Sequence, residues 1–314
     1  MPRSIAILVK DENDAAQGFL QAFAQQGNEV TCIVCNELLP VALQMAKPDF
    51  AIVAGGDVWG EPGSAQLLLA AMGIPQLGAD ANTIALCRDA AQLQGVIGQA
   101  IELERIEAQG LGHIVLDRAC LDALAQTGQV EVVEKALGEA WPLVVRGNDA
   151  DLLDSGTVAH DRKELNEALA AAKAQHDKLI VYPQVDGVEM LVAIMGDLND
   201  VLVLPPVELG ERADDADSWT APVVLSRLSG DEQAAQDIRS EVERCALDAF
   251  IACGCSDWAC VRLVWDGGRT RILGVDAAPS LKADGALAFA LRAADIDLPE
   301  LANEFCEIAD ERAL

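Results

Sequence analysis

The chain has 314 residues, enough for two or three domains with a well-buried core, and its 51% hydrophobic content marks it as globular. Its 51 acidic against 22 basic residues leave a formal charge of −29, which repels nucleic acid and anionic membranes and disfavours phosphate-backbone binding. With no run of about 18 apolar residues to span a membrane, and too short an apolar start before Lys10 for a signal peptide, a cytoplasmic protein is expected.

In chain order, "SIAILVK" reads as a buried parallel-type strand, followed by a helix from about Asp14 to Gln26 that ends at Gly27. "VTCIVC" and "DFAIVAGG" repeat the strand pattern around a helix from Leu38 to Ala46. "GSAQLLLAAMG" is a helix stopped by Gly73, and "IPQLGADA" a strand and turn. This β-α-β alternation predicts an open α/β domain over residues 1–87.

Residues 88–181 read as a small α+β layer. A helix over "CRDAAQLQGVIGQAIELE" leads into strand "GHIVLD", helix "EVVEKALGEA", strand "WPLVVRG", helix "RKELNEALAAAKAQ" and strand "KLIVYPQV". The third part, 182–314, opens with a hairpin of "GVEMLVAIMG" and "DVLVLPPVEL", then an acidic loop over 210–218. A helix follows whose Ser229 and Glu232 have capping-box spacing. "DWACVRLVWDGGRTRILGV" is a strand pair turning at Asp266-Gly267-Gly268.

Nine cysteines without a repeating framework read as reduced, buried thiols rather than disulfides or a zinc site. His113, His160 and His176 show no nucleophile–base spacing. Gly55-Gly56-Asp57 has neither the following helix nor the lysine of a phosphate loop.

Taken together, these segments resemble the D-alanine–D-alanine ligase family of the ATP-grasp superfamily. "GEPGSAQLLLAAMGIPQLGADANTIALCRD" is similar to the family's stretch around G-E-D-G-x-x-Q, with Gly60, Glu61, Gly63, Gln66, Gly73, Pro75, Gly78 and Asp89 in matching places. "WPLVVRG" resembles the strand carrying an ATP-binding lysine, and "VDGVEMLVAIMG" the G-x-E strand. "GCSDWACVRLVW" and "RILGVDAAPS" resemble the family's G-x-x-x-W-x-R-x-D and L-L-E-x-N-x-x-P-G segments. The resemblance implies an ATP-grasp fold: an N-terminal α/β domain (1–87), a central lid domain (88–181) and a C-terminal domain (182–314). It also implies dimerisation through the N-terminal domain.

The family's chemistry uses ATP, magnesium and D-alanine, and here the sequence departs from it. The positions of the metal-binding Asp, Glu and Asn hold Arg262, Gly274 and Asp276. Alternation puts these three on one face, where an Arg262–Asp276 ion pair is expected in place of the metal; the other reading leaves both charges in solvent. The positions of the catalytic glutamate and arginine fall at Ala15 and Cys260, those of a histidine and a second phosphate-binding lysine at Gly56 and Ala90. The phosphate loop falls at "NDADLLDSG", where Asp149, Asp151 and Asp154 oppose a triphosphate. Arg146, in place of a lysine, and Glu189, in place of the ribose-binding acid, keep related chemistry as residual nucleotide-binding candidates. Arg146 could equally be a strand-end base paired with an acid, and Glu189 a solvated strand residue. Glu61 and Gln66 are remnants of the substrate region, or serve only local capping and turn geometry.

The expectation is an eroded active site: a pseudoenzyme with a binding or regulatory role, tied to peptidoglycan precursor synthesis and using no cofactor. The alternative is an active carboxylate–amine ligase using ATP and magnesium, with Asp266 or Asp276 and acids of 210–218 as ligands. A homodimer or heterodimer is expected, and the charge of −29 suits a partner with a basic patch or a salt-tolerant host.

Overall fold

Ile5 to Val9 are all buried in β1 (Ser4–Val9), as a strand covered on both faces requires. The computed structural model describes residues 2–11, 17–55, 59–152, 154–196, 200–209, 219–222, 228–281 and 286–313. β1 lies between the parallel strands β2 (Glu29–Val34) and β3 (Phe50–Val53), and β4 (Gln76–Leu77) completes the order β2-β1-β3-β4. The connecting helices are α1 (Gln17–Gln25), α2 (Leu39–Ala46) and α3 (Ser64–Met72). Gly73 ends α3 in the left-handed region at φ 67°. Gly63, at φ 84°, precedes α3 where an added Cβ would sit 2.5 Å from the Ala81 carbonyl oxygen, so only glycine allows this approach.

The helix predicted from Cys87 to Glu104 is two helices, α4 (Ala81–Arg88) and α5 (Ala90–Glu102). Asp89 separates them in an extended conformation, and its side chain accepts from the Gln92 amide at 2.9 Å, so an aspartate in the pattern starts a new helix. The central sheet has the order β5-β8-β6-β7, from β5 (Ile114–Leu116), β6 (Leu143–Gly147), β7 (Thr157–Ala159) and β8 (Leu179–Pro183). Its neighbours are all antiparallel, and it packs with α6 (Arg118–Thr127), α7 (Glu131–Ala136) and α8 (Arg162–Lys173).

The third sheet contains β9 (Val188–Gly196), β10 (Val201–Val203), β11 (Val207–Leu209), β12 (Trp219–Pro222), β13 (Asp257–Trp265) and β14 (Thr270–Asp276). Its order is β12-β11-β9-β13-β14, with β10 also on β9, and the expected hairpins β9–β10 and β13–β14 are both present. One face packs against α4, α5 and the long helix α9 (Glu232–Cys253). The cap of α9 is Asp231, not Ser229. The Asp231 carboxylate accepts from the Ala234 amide at 2.8 Å and adds negative charge at the helix start, while Ser229 Oγ accepts from the Asp231 amide.

Two C-terminal helices, α10 (Ala286–Ala293) and α11 (Leu298–Ala313), were not legible as elements in the sequence. α11 returns to α1, where Phe305 stacks on Phe19 at 6.3 Å and meets Trp258 at 4.8 Å. The first sheet and one face of the third therefore share a single core. All nine cysteines are free, and Cys87, Cys245, Cys253, Cys255 and Cys260 are buried. No described helix is long and apolar enough to cross a membrane.

Candidate functional site

The β13–β14 register sets Arg262 opposite Gly274 and Cys260 opposite Asp276. The even-numbered face carries the site, as alternation requires. A bulge after Arg262 leaves Leu273 packed against Val144, Ile180 and Tyr182 of the central sheet.

Arg262 does not pair with Asp276. Its Nε donates to Glu189 Oε1 at 2.5 Å, with the arginine side chain 7% and the glutamate 30% exposed. Its Nη1 donates to the carbonyls of Leu152 (2.8 Å) and Asp154 (3.1 Å), and its Nη2 to Ser155 Oγ (3.2 Å). The register places a carboxylate one diagonal step from Arg262 on each flank of β13. Glu189 pairs with Val264 on the other flank of β13, one diagonal step from Arg262. Asp276 instead turns to the chain end of its strand, where its Oδ1 accepts from the Ala278 amide at 3.0 Å.

Arg146, on β6, is buried, and burial holds its guanidinium below its ordinary pKa. Its Nη2 donates to the carbonyls of Ala150 (3.1 Å) and Asp151 (2.5 Å), so its partners here are backbone oxygens of the 148–156 segment. Asn148 accepts from the first amides of α5: Ala90 N to its carbonyl and Ala91 N to its Oδ1, both at 2.9 Å. Leu152 is buried against Gly274, where an added Cβ would lie 2.5 Å from Leu152 Cδ1.

Cys260 is fully buried in the core shared with the first sheet, and burial, then the charge of Asp276, pushes its thiol pKa well up. Glu61 is exposed at the start of the turn into α3, and its carbonyl accepts from Ser64. Gln66 is buried with its Oε1 unpartnered. Asp266 is held in the hairpin turn by the amides of Gly268 and Arg269 and by Arg271 Nε at 3.2 Å. Ala15, Gly56 and the acids of 210–218 lie outside the described residues.

Magnesium needs several hard oxygen ligands around one point. A guanidinium stands at one of the three expected positions, Leu152 packs over the bare Gly274, and Asp276 is the one acid of the three. Among the described residues no group of three or more His, Cys, Asp or Glu is placed to hold a metal ion. The pocket between Arg88, Arg146, Asn148, Leu152, Gly274 and Asp276 has free space of ≈ 10 Å³, the room of about one water. The described residues do not by themselves fit a magnesium–triphosphate; the acids of 210–218 lie outside them. Sequence reasoning overlooked Leu152, Asn148 and Ser155. The available signal was two leucines inside an otherwise acidic loop, "NDADLLDSG".

Asp89 also anchors this region. Burial opposes its charge, but the Lys178 ammonium at 2.9 Å, the Gln92 amide and the Asn148 side chain outweigh that and bring its pKa down to about 2. A depressed carboxylate stabilises the fold above its unfolded pKa, and that contribution fades as pH falls through the folded value. We expect Asp89 to supply up to about 2 kcal/mol at neutral pH. This should be lost between roughly pH 5 and pH 2 and be absent from Asp89→Asn, as acid titration of urea unfolding would read.

No family model matches the chain. It is 26% identical to the D-alanine–D-alanine ligase B of Xanthomonas campestris pv. campestris over 261 residues, covering 80% of this chain and 74% of that protein. It is 27% identical to the D-alanine–D-alanine ligase of Gloeobacter violaceus over 282 residues, or 88% and 86% of the two chains. Its fold matches the crystal structure of the D-alanine–D-alanine ligase from Bacillus anthracis complexed with ATP at a TM-score of 0.72. That match has 20% identity and covers 98% of this chain and 97% of that one.

Proposed function

Because the chain belongs to the D-alanine–D-alanine ligase family and has its ATP-grasp fold over almost the whole length, we propose that it is a catalytically silent member with a binding or regulatory role. That role is linked to peptidoglycan precursor synthesis in the cytoplasm. One observation carries the reading: Arg262, at a metal-ligand position, is held by Glu189, the acid expected for the ribose. A single ion pair thus uses up a residue from each of two ligand sites. Groups that act as a unit in a reaction cannot be lost together without losing the reaction.

The test is phosphate release from ATP by the purified full chain with magnesium and D-alanine. The expected result is a rate equal to the protein-free background, with or without D-alanine. Release that depends on D-alanine and scales with protein concentration would overturn the reading.

A silent member acts through contacts, and the same reading carries an expected self-association through the N-terminal layer. Leu38, Val41 and Met45 support it, since they are exposed at a spacing that shares one face of α2. Light scattering should give twice the monomer mass, and Met45→Lys with Val41→Lys should lower it. A monomer at all concentrations would count against this. Any different partner should carry a basic patch to meet the charge of −29.

A further inference from the structure

We infer that residues Asn148–Leu152 and Asp154–Gly156 are a built-in occupant of the cleft, an intramolecular ligand that ties the central sheet to the third sheet. The inference rests on the silent reading of the same site and says what fills it.

The donors define the occupant. Arg146 rises from the central sheet and Arg262 from the third, and both aim at oxygens of this one segment. The start of α5, which packs on the third sheet, donates its first amides to Asn148. A helix N-terminus and two arginines are what an anion would recognise. Here carbonyl and amide oxygens of the chain take up Arg146 Nη2, Arg262 Nη1 and the two amides, while Arg146 Nε is buried without a partner.

Shape agrees with charge. Leu152 enters the volume left by the missing side chain of Gly274 and joins the core common to the first and third sheets. About one water of free space remains beside it. The acids of the segment also make sense in this role. Asp149 is largely exposed and meets His176 Nδ1 at 2.7 Å, and the largely exposed Asp151 lies 3.7 Å from Arg88. Asp154 Oδ1 accepts from the Gly156 amide at 2.7 Å. Neutral carbonyls therefore meet Arg146 and Arg262 inside, while the carboxylates of Asp149 and Asp151 stay largely exposed and Asp154 is half-buried. An acidic loop that would repel a triphosphate is compatible with being its own occupant.

The test is native-state amide hydrogen exchange on the full chain, read at Ala90 and Ala91, with α9 as the internal reference. Leu152→Ala removes the buried side chain from the loop. Gly274→Ala leaves the loop sequence intact and pushes Leu152 out from the strand. The wild-type amides of Ala90 and Ala91 should be protected, and millimolar ATP, with or without magnesium, should not change them. Each variant should speed their exchange by about tenfold or more and leave α9 unchanged. Unprotected wild-type amides, slowing by ATP, or exchange unaffected by both variants would overturn the inference. Unprotected amides without phosphate release would sink the occupant and leave the silent scaffold standing. Phosphate release with protected amides would sink the silent reading alone.

Discussion

Replacing Arg262 by methionine is expected to lower stability by about 3 kcal/mol in urea unfolding. The methionine keeps much of the volume and removes every donor. Glu189 then loses its partner, and the carbonyls of Leu152 and Asp154 lose theirs in a setting where the arginine itself is only 7% exposed. A buried charge left without its partner costs about 3–5 kcal/mol. The 30% exposure of Glu189 lets water recover part of that, which places the expectation at the lower end. Glu189→Gln removes the counter-charge of the 7%-exposed Arg262 but leaves an amide oxygen to accept from its Nε and every other acceptor in place, so it should cost less, about 2 kcal/mol. The inequality is the informative part. Equal losses in the two variants would mean that the ion pair alone matters and that Arg262 does not hold the loop.

Restoring the family's metal ligands should fail, and at a higher cost. The combined variant Arg262→Asp, Gly274→Glu and Asp276→Asn is expected to lose about 4 kcal/mol or more and to gain no magnesium-dependent ATP binding by calorimetry. Aspartate at position 262 faces Glu189 with like charge and abandons the Leu152 and Asp154 carbonyls. Glutamate at 274 starts from a Cβ that is already 2.5 Å from Leu152 Cδ1. The side chains would be those of a metal site, but the segment over them is built for an arginine and a leucine. Magnesium-dependent nucleotide binding at unchanged stability would show that the cleft tolerates ligand after all, contrary to the fit seen here.

Much of the hairpin at the heart of the site was readable from the chain. "DWACVRLVWDGGRTRILGV" shows two apolar strands around an Asp-Gly-Gly turn, and side-chain alternation alone groups Arg262, Gly274 and Asp276. The partner of Arg262 was not readable. β13 has neighbours on both flanks, and a carboxylate lies one diagonal step away on each: Glu189 on β9 and Asp276 on β14. Nothing in the spacing of the sequence ranks those two. The turn after β14 does, by giving Asp276 the Ala278 amide and leaving Arg262 to Glu189. The helix break at Asp89 and the cap at Asp231 were missed for a smaller reason. At α9 both Ser229 and Asp231 lie within a turn of the helix start and either is chemically a good cap, while at α5 the single Asp89 sits inside a continuous run of helix formers.

What the sequence by itself determined about this protein is its ATP-grasp fold and its resemblance to the D-alanine–D-alanine ligases, which in turn implies that Arg262, Gly274 and Asp276 stand at their metal positions. These follow from local signals, namely apolar periodicity, glycine stops, turn residues and the order of short motifs. What only the tertiary structure decided is how those residues are used. Leu152 fills the gap at Gly274, Arg146 and Arg262 bind loop carbonyls, and Asn148 caps α5. Each of these contacts joins segments far apart in the chain, and each is fixed by the packing of two sheets against one loop. Long-range packing decides which of several chemically adequate partners lies within hydrogen-bond reach, and no local pattern encodes that choice.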